Sequence, residues 1–161
     1  MKKKIIIAVC TVLMAVSLAG CGGNTSTKIS SSVAMANPWE DFKTLEEAQE
    51  KVGFEISLPE DWAKKDAVYR VCEGLNAIEV QFDEGDEVIR KAKDDGDISG
   101  DYNEYASEET MTIGESQVTF KGTSEDEVNL AVWVSGDYSY SVSSTDAVSA
   151  DQMKKIVEAV K

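Results

Sequence analysis

The sequence predicts an α+β domain: a curved antiparallel meander of about six or seven strands, with an N-terminal and a C-terminal helix packed on one face. Three observations carry that expectation. Several short runs alternate apolar and polar residues with brief polar turns between them. Two segments, opening at Thr44 and Ser149, combine a capping box with an apolar stripe at helical spacing. The sequence shows no internal repeat and no sign of a second domain.

Residues 1–20 read as a targeting segment outside the fold. Lys2, Lys3 and Lys4 form a positive end, and Ile5 to Leu18 an apolar run too short for a stable membrane span. Leu18-Ala19-Gly20-Cys21 resembles a bacterial lipobox, in which the cysteine is diacylated and becomes the new N-terminus. Two acyl chains give the stable attachment that one does not. Cys21 is therefore the expected lipidation site, and the chain is expected at the extracytoplasmic face of the cell membrane. Residues 21–36 are rich in small and polar residues and read as a flexible tether with a root-mean-square span of roughly 20–25 Å.

Residues 37–161 are expected to form one globular domain. After Asn37-Pro38-Trp39, Thr44 caps a helix with Glu47 completing the box; Leu45, Ala48 and Val52 mark its inner face and Gly53 ends it. Phe54, Ile56 and Leu58 alternate like a strand that Pro59 stops. Further strands are read at Ala67–Cys72, around Ile78, Val80 and Phe82, over 87–93, at Met111 and Ile113, and at Val118 and Phe120. Val128, Leu130, Val132 and Val134 are expected to share one face. Gly136-Asp137 reads as a hairpin turn before Tyr138, Tyr140 and Val142. The closing helix carries Met153, Ile156, Val157 and Val160 on one stripe. Trp39 and Trp62 are expected to pack at element ends.

Strict alternation would place Glu79, Gln81, Thr119, Lys121, Asn129, Trp133, Ser139 and Ser141 on the sheet face away from the helices. Trp133, Asn129, Gln81, Ser139 and Ser141 are then candidate ligand-binding residues. Trp133 is either half-buried by a loop or an exposed ring suited to flat groups such as sugars or peptides.

Asn37-Pro38-Trp39, Thr44 to Ala48, Val52-Gly53-Phe54, Leu58-Pro59, Asp97 to Tyr102, and Trp133, Gly136, Tyr138, Tyr140 and Val142 followed by the Ser149 helix together resemble an extracytoplasmic domain catalogued as domain of unknown function 4367. That family occurs in Gram-positive bacterial lipoproteins and at the outer ends of some anti-sigma factors. The resemblance implies a curved antiparallel sheet with helices against it and a role in surface sensing or ligand binding. It implies no catalytic residues. Unlike the anti-sigma members, this chain has a lipobox and no cytoplasmic sigma-binding segment.

The stretch KDDGDISGDYNEY, residues 93–105, raises the question of calcium. Counted from Asp95, it places Asp97, Ser99, Gly100 and Asn103 where an EF-hand loop wants oxygen ligands and its glycine. The last ligand position holds Ala106, and a strand rather than a helix precedes the loop. A weak, irregular calcium site at Asp95, Asp97 and Asp101 is one reading; a polar turn is the other.

Composition narrows the chemistry. Loss of the three signal lysines takes the formal charge from −14 to −17, a field that repels nucleic acid. No histidine is present, so Ser-His and Cys-His catalysis has no base. Cys10 leaves with the signal and Cys21 takes the lipid, so Cys72 has no partner for an intramolecular disulfide. Three functions remain: a non-catalytic, monomeric binding module for a protein, peptide or envelope ligand; a half-barrel carrier or sensor for a lipid or peptide; and a cell-wall hydrolase using paired carboxylates. The lipobox has a direct test. The wild-type chain should incorporate labelled palmitate and fractionate with membranes, and Cys21→Ser should lose both; label retained in the variant would refute the assignment.

Overall fold

The computed structural model describes residues 37–161; the signal-peptide, tether and Cys21 readings lie outside them. One antiparallel sheet of eight strands forms, with two helices. The chain runs β1 (Glu40–Phe42), α1 (Leu45–Val52), β2 (Ala67–Cys72), β3 (Ala77–Phe82), β4 (Glu87–Ala92), β5 (Ser107–Ile113), β6 (Ser116–Ser124), β7 (Glu127–Ser135), β8 (Tyr138–Ser149) and α2 (Ala150–Ala159). The strand order is β1-β2-β3-β4-β8-β7-β6-β5. Two four-stranded meanders thus meet at the β4–β8 pair. Loop 93–106 must carry the chain from mid-sheet to the far edge, a distance of four strand spacings or about 19 Å.

The helix ends follow their local signals. Thr44 Oγ1 accepts from the Glu47 amide at 3.2 Å, and Glu47 Oε2 reaches back to the Lys43 amide at 3.1 Å. Gly53 ends α1 in the left-handed region, with φ 84°. Ser149 Oγ caps α2 at the Gln152 amide, 3.2 Å away. Among the described residues no helix is long and apolar enough to cross a membrane.

The core lies between the helices and one sheet face. Ala48 of α1 and Met153, Ile156 and Val157 of α2 pack on Val80, Phe82, Ile89, Val142, Val118 and Phe120. Trp62 stands edge-on to Phe82, with ring centroids 5.4 Å apart, so this tryptophan packs as expected. Cys72 is buried as a small strand hydrophobe.

Two expectations need correction. Phe54, Ile56 and Leu58 do not form a strand. They lean on the core, but the segment is held by single bonds: the Ile56 amide to Gln49 Oε1 at 2.8 Å and the Ser57 amide to the Lys161 carbonyl at 3.0 Å. Alternation survives there without a ladder. The second correction is the facing of β7. Against β6, Lys121 and Gly122 pair with Leu130 and Val128, so Asn129 is the extra residue of a bulge. Against β8 the register breaks at the same place, where residues 144–147 lie between the partners of Leu130 and Val128. One extra residue inverts every side chain beyond it. Val128 stays in the core, Ala131 and Trp133 turn into it, and Leu130, Val132 and Val134 turn to the opposite face. The bulge needs Gly122, because a Cβ there would lie 1.8 Å from the Glu127 carbonyl oxygen.

Strand register also carries a charge inward. Lys91 pairs with Ile78 and Tyr140 on the helix-covered face and is 8% exposed. Its Nζ donates to the Glu55 carbonyl at 2.6 Å and lies 4.5 Å from the Tyr138 ring centre and 5.3 Å from that of Tyr140. Burial pushes the ammonium below the ordinary lysine value, and the Glu55 carboxylate offsets part of that. The folded state therefore releases this proton at lower pH than the unfolded chain. The penalty is complete below the folded-state pKa and fades as pH rises toward 10.5. The stability of Lys91→Met relative to wild type should accordingly fall as pH is raised from 7 toward 10.5. Paired urea titrations check this, and a pH-independent difference would refute it.

Candidate functional site

The face away from the helices carries an ion cluster aligned by register. Asp41, Arg70, Glu79 and Arg90 are successive cross-strand partners on β1, β2, β3 and β4. Glu79 is 0% exposed. Its Oε1 accepts from Arg70 Nη1 and from Gln81 Nε2, both at 2.8 Å, and its Oε2 accepts from Arg90 Nε at 2.5 Å. Arg70 Nε lies 3.2 Å from Asp41 Oδ1, a charge contact whose angle makes no hydrogen bond. It is the one buried side-chain polar atom without a hydrogen bond among the described residues.

Trp39 covers this cluster. Both guanidinium carbons lie 5.6 Å from its ring centre, and Asn37 Oδ1 holds the Trp39 amide at 3.2 Å. Each such contact contributes roughly 0.5–2 kcal/mol, depending on desolvation. Trp39 is thus a half-buried lid on charges, a correction to the staple-like core packing expected for it at the end of an element.

Loop 93–106 roofs the same face. Arg90 Nη1 donates to the Ile98 carbonyl at 3.3 Å, Ser139 Oγ to the Asp94 carbonyl at 2.9 Å, and Lys121 approaches Asp97 at 3.9 Å. Gly100, at φ 64°, sits where a Cβ would meet Arg90 Nη1 at 2.8 Å. Where loop, lid and sheet meet, a pocket of about 230 Å³ opens, lined by Trp39, Leu75, Arg90, Ile98 and Tyr102, with Asp94 and Asp97 beside them. Tyr102 is 96% exposed and Leu75 58%. At that size the pocket falls below the roughly 300 Å³ at which small-molecule sites begin.

The sequence-derived candidates scatter. Trp133 lies in the core at 6% exposure, stacked on its cross-strand partner Tyr140 with centroids 5.1 Å apart and planes 5° from parallel. The bulge put it there, so it is no ring on an open face. Asn129 Nδ2 is committed to the Ser144 and Thr145 carbonyls, each at 3.1 Å, and so repairs the bulge. Ser139 and Ser141 lie on the expected face but are buried. Gln81 reaches the site only through Glu79. Arg70, Arg90, Trp39, Leu75 and Tyr102 are not among the site residues that the sequence suggests. The two arginines share the parity of Glu79 across neighbouring hairpins, which is a readable signal; Trp39, Leu75 and Tyr102 meet only through tertiary folding.

The aspartates of loop 93–106 build turns. Asp94 Oδ1 accepts from the Asp95 and Gly96 amides, Asp97 Oδ1 from the Ser99 amide, and Asp101 Oδ1 from the Asn103 amide. Asp101 Oδ2 takes the Tyr105 hydroxyl at 2.5 Å. Burial pushes the Asp101 carboxyl up, yet Tyr105, Asn103 and Lys121 together hold it below its ordinary value. Burial and Asp101 push Tyr105 up to about 12. Asp95, Asp97 and Asp101 are not brought together: among the described residues no three acids or cysteines form a metal-ligating group.

A second hollow lies on the helix side. It is a half-open crevice of about 450 Å³ between the sheet and α2, lined by Ile113, Trp133, Tyr140, Val157 and Val160. Burial, with Tyr138 adding to it, raises the Tyr140 hydroxyl.

No protein-family model, curated protein or solved structure matches this chain at a significant level. The resemblance to domain of unknown function 4367 therefore rests on its motifs alone.

Glu79 is the keystone of the first site. Glu79→Gln leaves two guanidiniums competing for one neutral amide and should destabilise the fold by about 3 kcal/mol or more. The denaturant midpoint measures it, and a loss under about 1 kcal/mol, the scale of an exposed pair, would show the cluster to be dispensable.

Proposed function

We propose that the chain is a lipid-anchored extracytoplasmic lipoprotein, and that its 37–161 domain is a non-catalytic binding module working through the Trp39–Tyr102 pocket. One observation carries the pocket assignment. Of the four exposed large hydrophobic residues among those described, Leu75 and Tyr102 converge on this hollow, while Val68 and Val134 line neither it nor one another's surroundings. An exposed tyrosine at a pre-formed apolar hollow is a common anchor point for a partner. Surface sensing or ligand binding is also what the family resemblance implies. The absence of histidine and the lowered Asp101 carboxyl, the wrong direction for a general acid, support a role without catalysis.

Cys72 is buried and Cys21 is acylated in this reading, which leaves the surface free of thiols for a clean test. Tyr102→Cys should react with a membrane-impermeant maleimide on intact cells, proving the domain extracytoplasmic. It should react several-fold more slowly there than in the isolated mature chain, because a ligand occupies the pocket, whereas Lys155→Cys on α2 should react equally in both. No labelling on intact cells would overturn the location, and equal rates at both positions would overturn the pocket.

The crevice beside α2 favours a second reading, a carrier for an apolar ligand. It requires an apolar dye to bind in a way that Val157→Arg abolishes and Tyr102→Ala leaves intact.

A further inference from the structure

Resting on that reading, we infer that the pocket receives one large apolar side chain from a basic peptide segment of a partner protein. Size is the first argument. A hollow of about 230 Å³ walled by Trp39, Leu75, Ile98 and Tyr102 has room for a single bulky side chain and not for a folded ligand. Two of its walls project into solvent, so a partner can bury them only by laying chain across the mouth.

Charge is the second. The described residues hold all thirty acids and twelve of the sixteen basic residues, a formal charge of −18. The two arginines under the pocket do not reverse this locally. Glu79 ties both, and Asp41, Asp94 and Asp97 add three further carboxylates around them, of which Asp97 has Lys121 at 3.9 Å, so four carboxylates face three cations. Asp94 spends Oδ1 on the loop amides, and its second oxygen makes no hydrogen bond among the described residues. A partner segment with lysines or arginines flanking its anchor meets an attractive field, and an acidic one is repelled. The apolar anchor sets affinity; the flanking cations set the encounter rate and its salt dependence.

The test uses the mature chain with Cys21→Ser and three synthetic peptides, Lys-Lys-Phe-Lys-Lys, Lys-Lys-Ala-Lys-Lys and Glu-Glu-Phe-Glu-Glu, titrated by calorimetry. The first should bind, and the second about tenfold or more weakly, as expected for a lost buried ring. The third should show no binding, and raising salt from about 0.05 to 0.5 M should weaken the first several-fold. Tyr102→Ala, which removes an almost fully exposed side chain, should weaken the first about fivefold or more without changing the melting temperature. If the phenylalanine and alanine peptides bind alike and ignore Tyr102→Ala, the contact is diffuse surface charge and the inference falls. If the acidic peptide binds and loses affinity with Tyr102→Ala, the pocket stands and the basic partner falls. If none binds, the inference falls, while the maleimide rates at position 102 still decide whether the pocket is occupied in cells.

Discussion

A fully buried carboxylate governs one whole side of this molecule. Left alone in the sheet, Glu79 would carry a desolvation cost of several kcal/mol. Two arginines from flanking strands remove that cost, and in doing so each becomes a fixture. Arg90 then has a guanidinium nitrogen at the right height to hold the Ile98 carbonyl, which seats loop 93–106 on the sheet. Arg70 and Arg90 together offer Trp39 a cationic floor, which seats the start of the domain. The pocket is the gap left between these two seated segments, so its shape depends on the ion cluster, one member of which, Arg90, also lines it.

The sheet is consequently sealed differently on its two faces. On one, two helices bury an apolar layer in the ordinary way, with the buried Lys91 ammonium held among aromatic rings. On the other, a polar loop lies over serines, a buried leucine and paired charges, and fastens itself through turn-forming aspartates. One oxygen each of Asp94, Asp97 and Asp101 is taken by neighbouring amides, and the second oxygen of Asp101 by Tyr105. The stretch that scans like a calcium loop is thus fastened in part by its own turns, the structural use that Asp-Gly-rich sequence has most often. The free edge strand β5 presents Glu108 and Glu109, and charge there discourages another strand from adding to the sheet.

Much of this architecture is legible in the sequence, and the misses share a cause. Thr44, Gly53 and Ser149 announce their helix ends through contacts within four residues. The alternating runs at 77–82 and 138–142 announce strands with their buried faces correct. What failed depended on a partner far away in the chain. Phe54 to Leu58 alternates, yet no strand lies beside it. β7 keeps its period only up to Asn129 and Trp133 lies beyond the slip; a bulge is invisible to periodicity because only the neighbouring register defines it. Arg70, Arg90 and Lys91 were within reach: counting outward from Val80 and Ile89 puts the arginines beside Glu79 and the lysine beneath the helices. The pocket itself was not within reach, since Trp39, Leu75 and Tyr102 belong to three segments distant in the chain that only tertiary contacts bring together.

The charge of the domain bears on the same pocket. At a formal charge of −18, residues 37–161 attract cations over about one Debye length, some 8–10 Å at physiological salt, and repel anions over the same range. That field is diffuse and selects no position. The hollow beside Trp39 is local, because Arg70 and Arg90 seat Trp39 on one side of it and Arg90 holds the Ile98 carbonyl on the other. Charge and shape thus act over different distances at one place, and only the second depends on Glu79 keeping both arginines where they are.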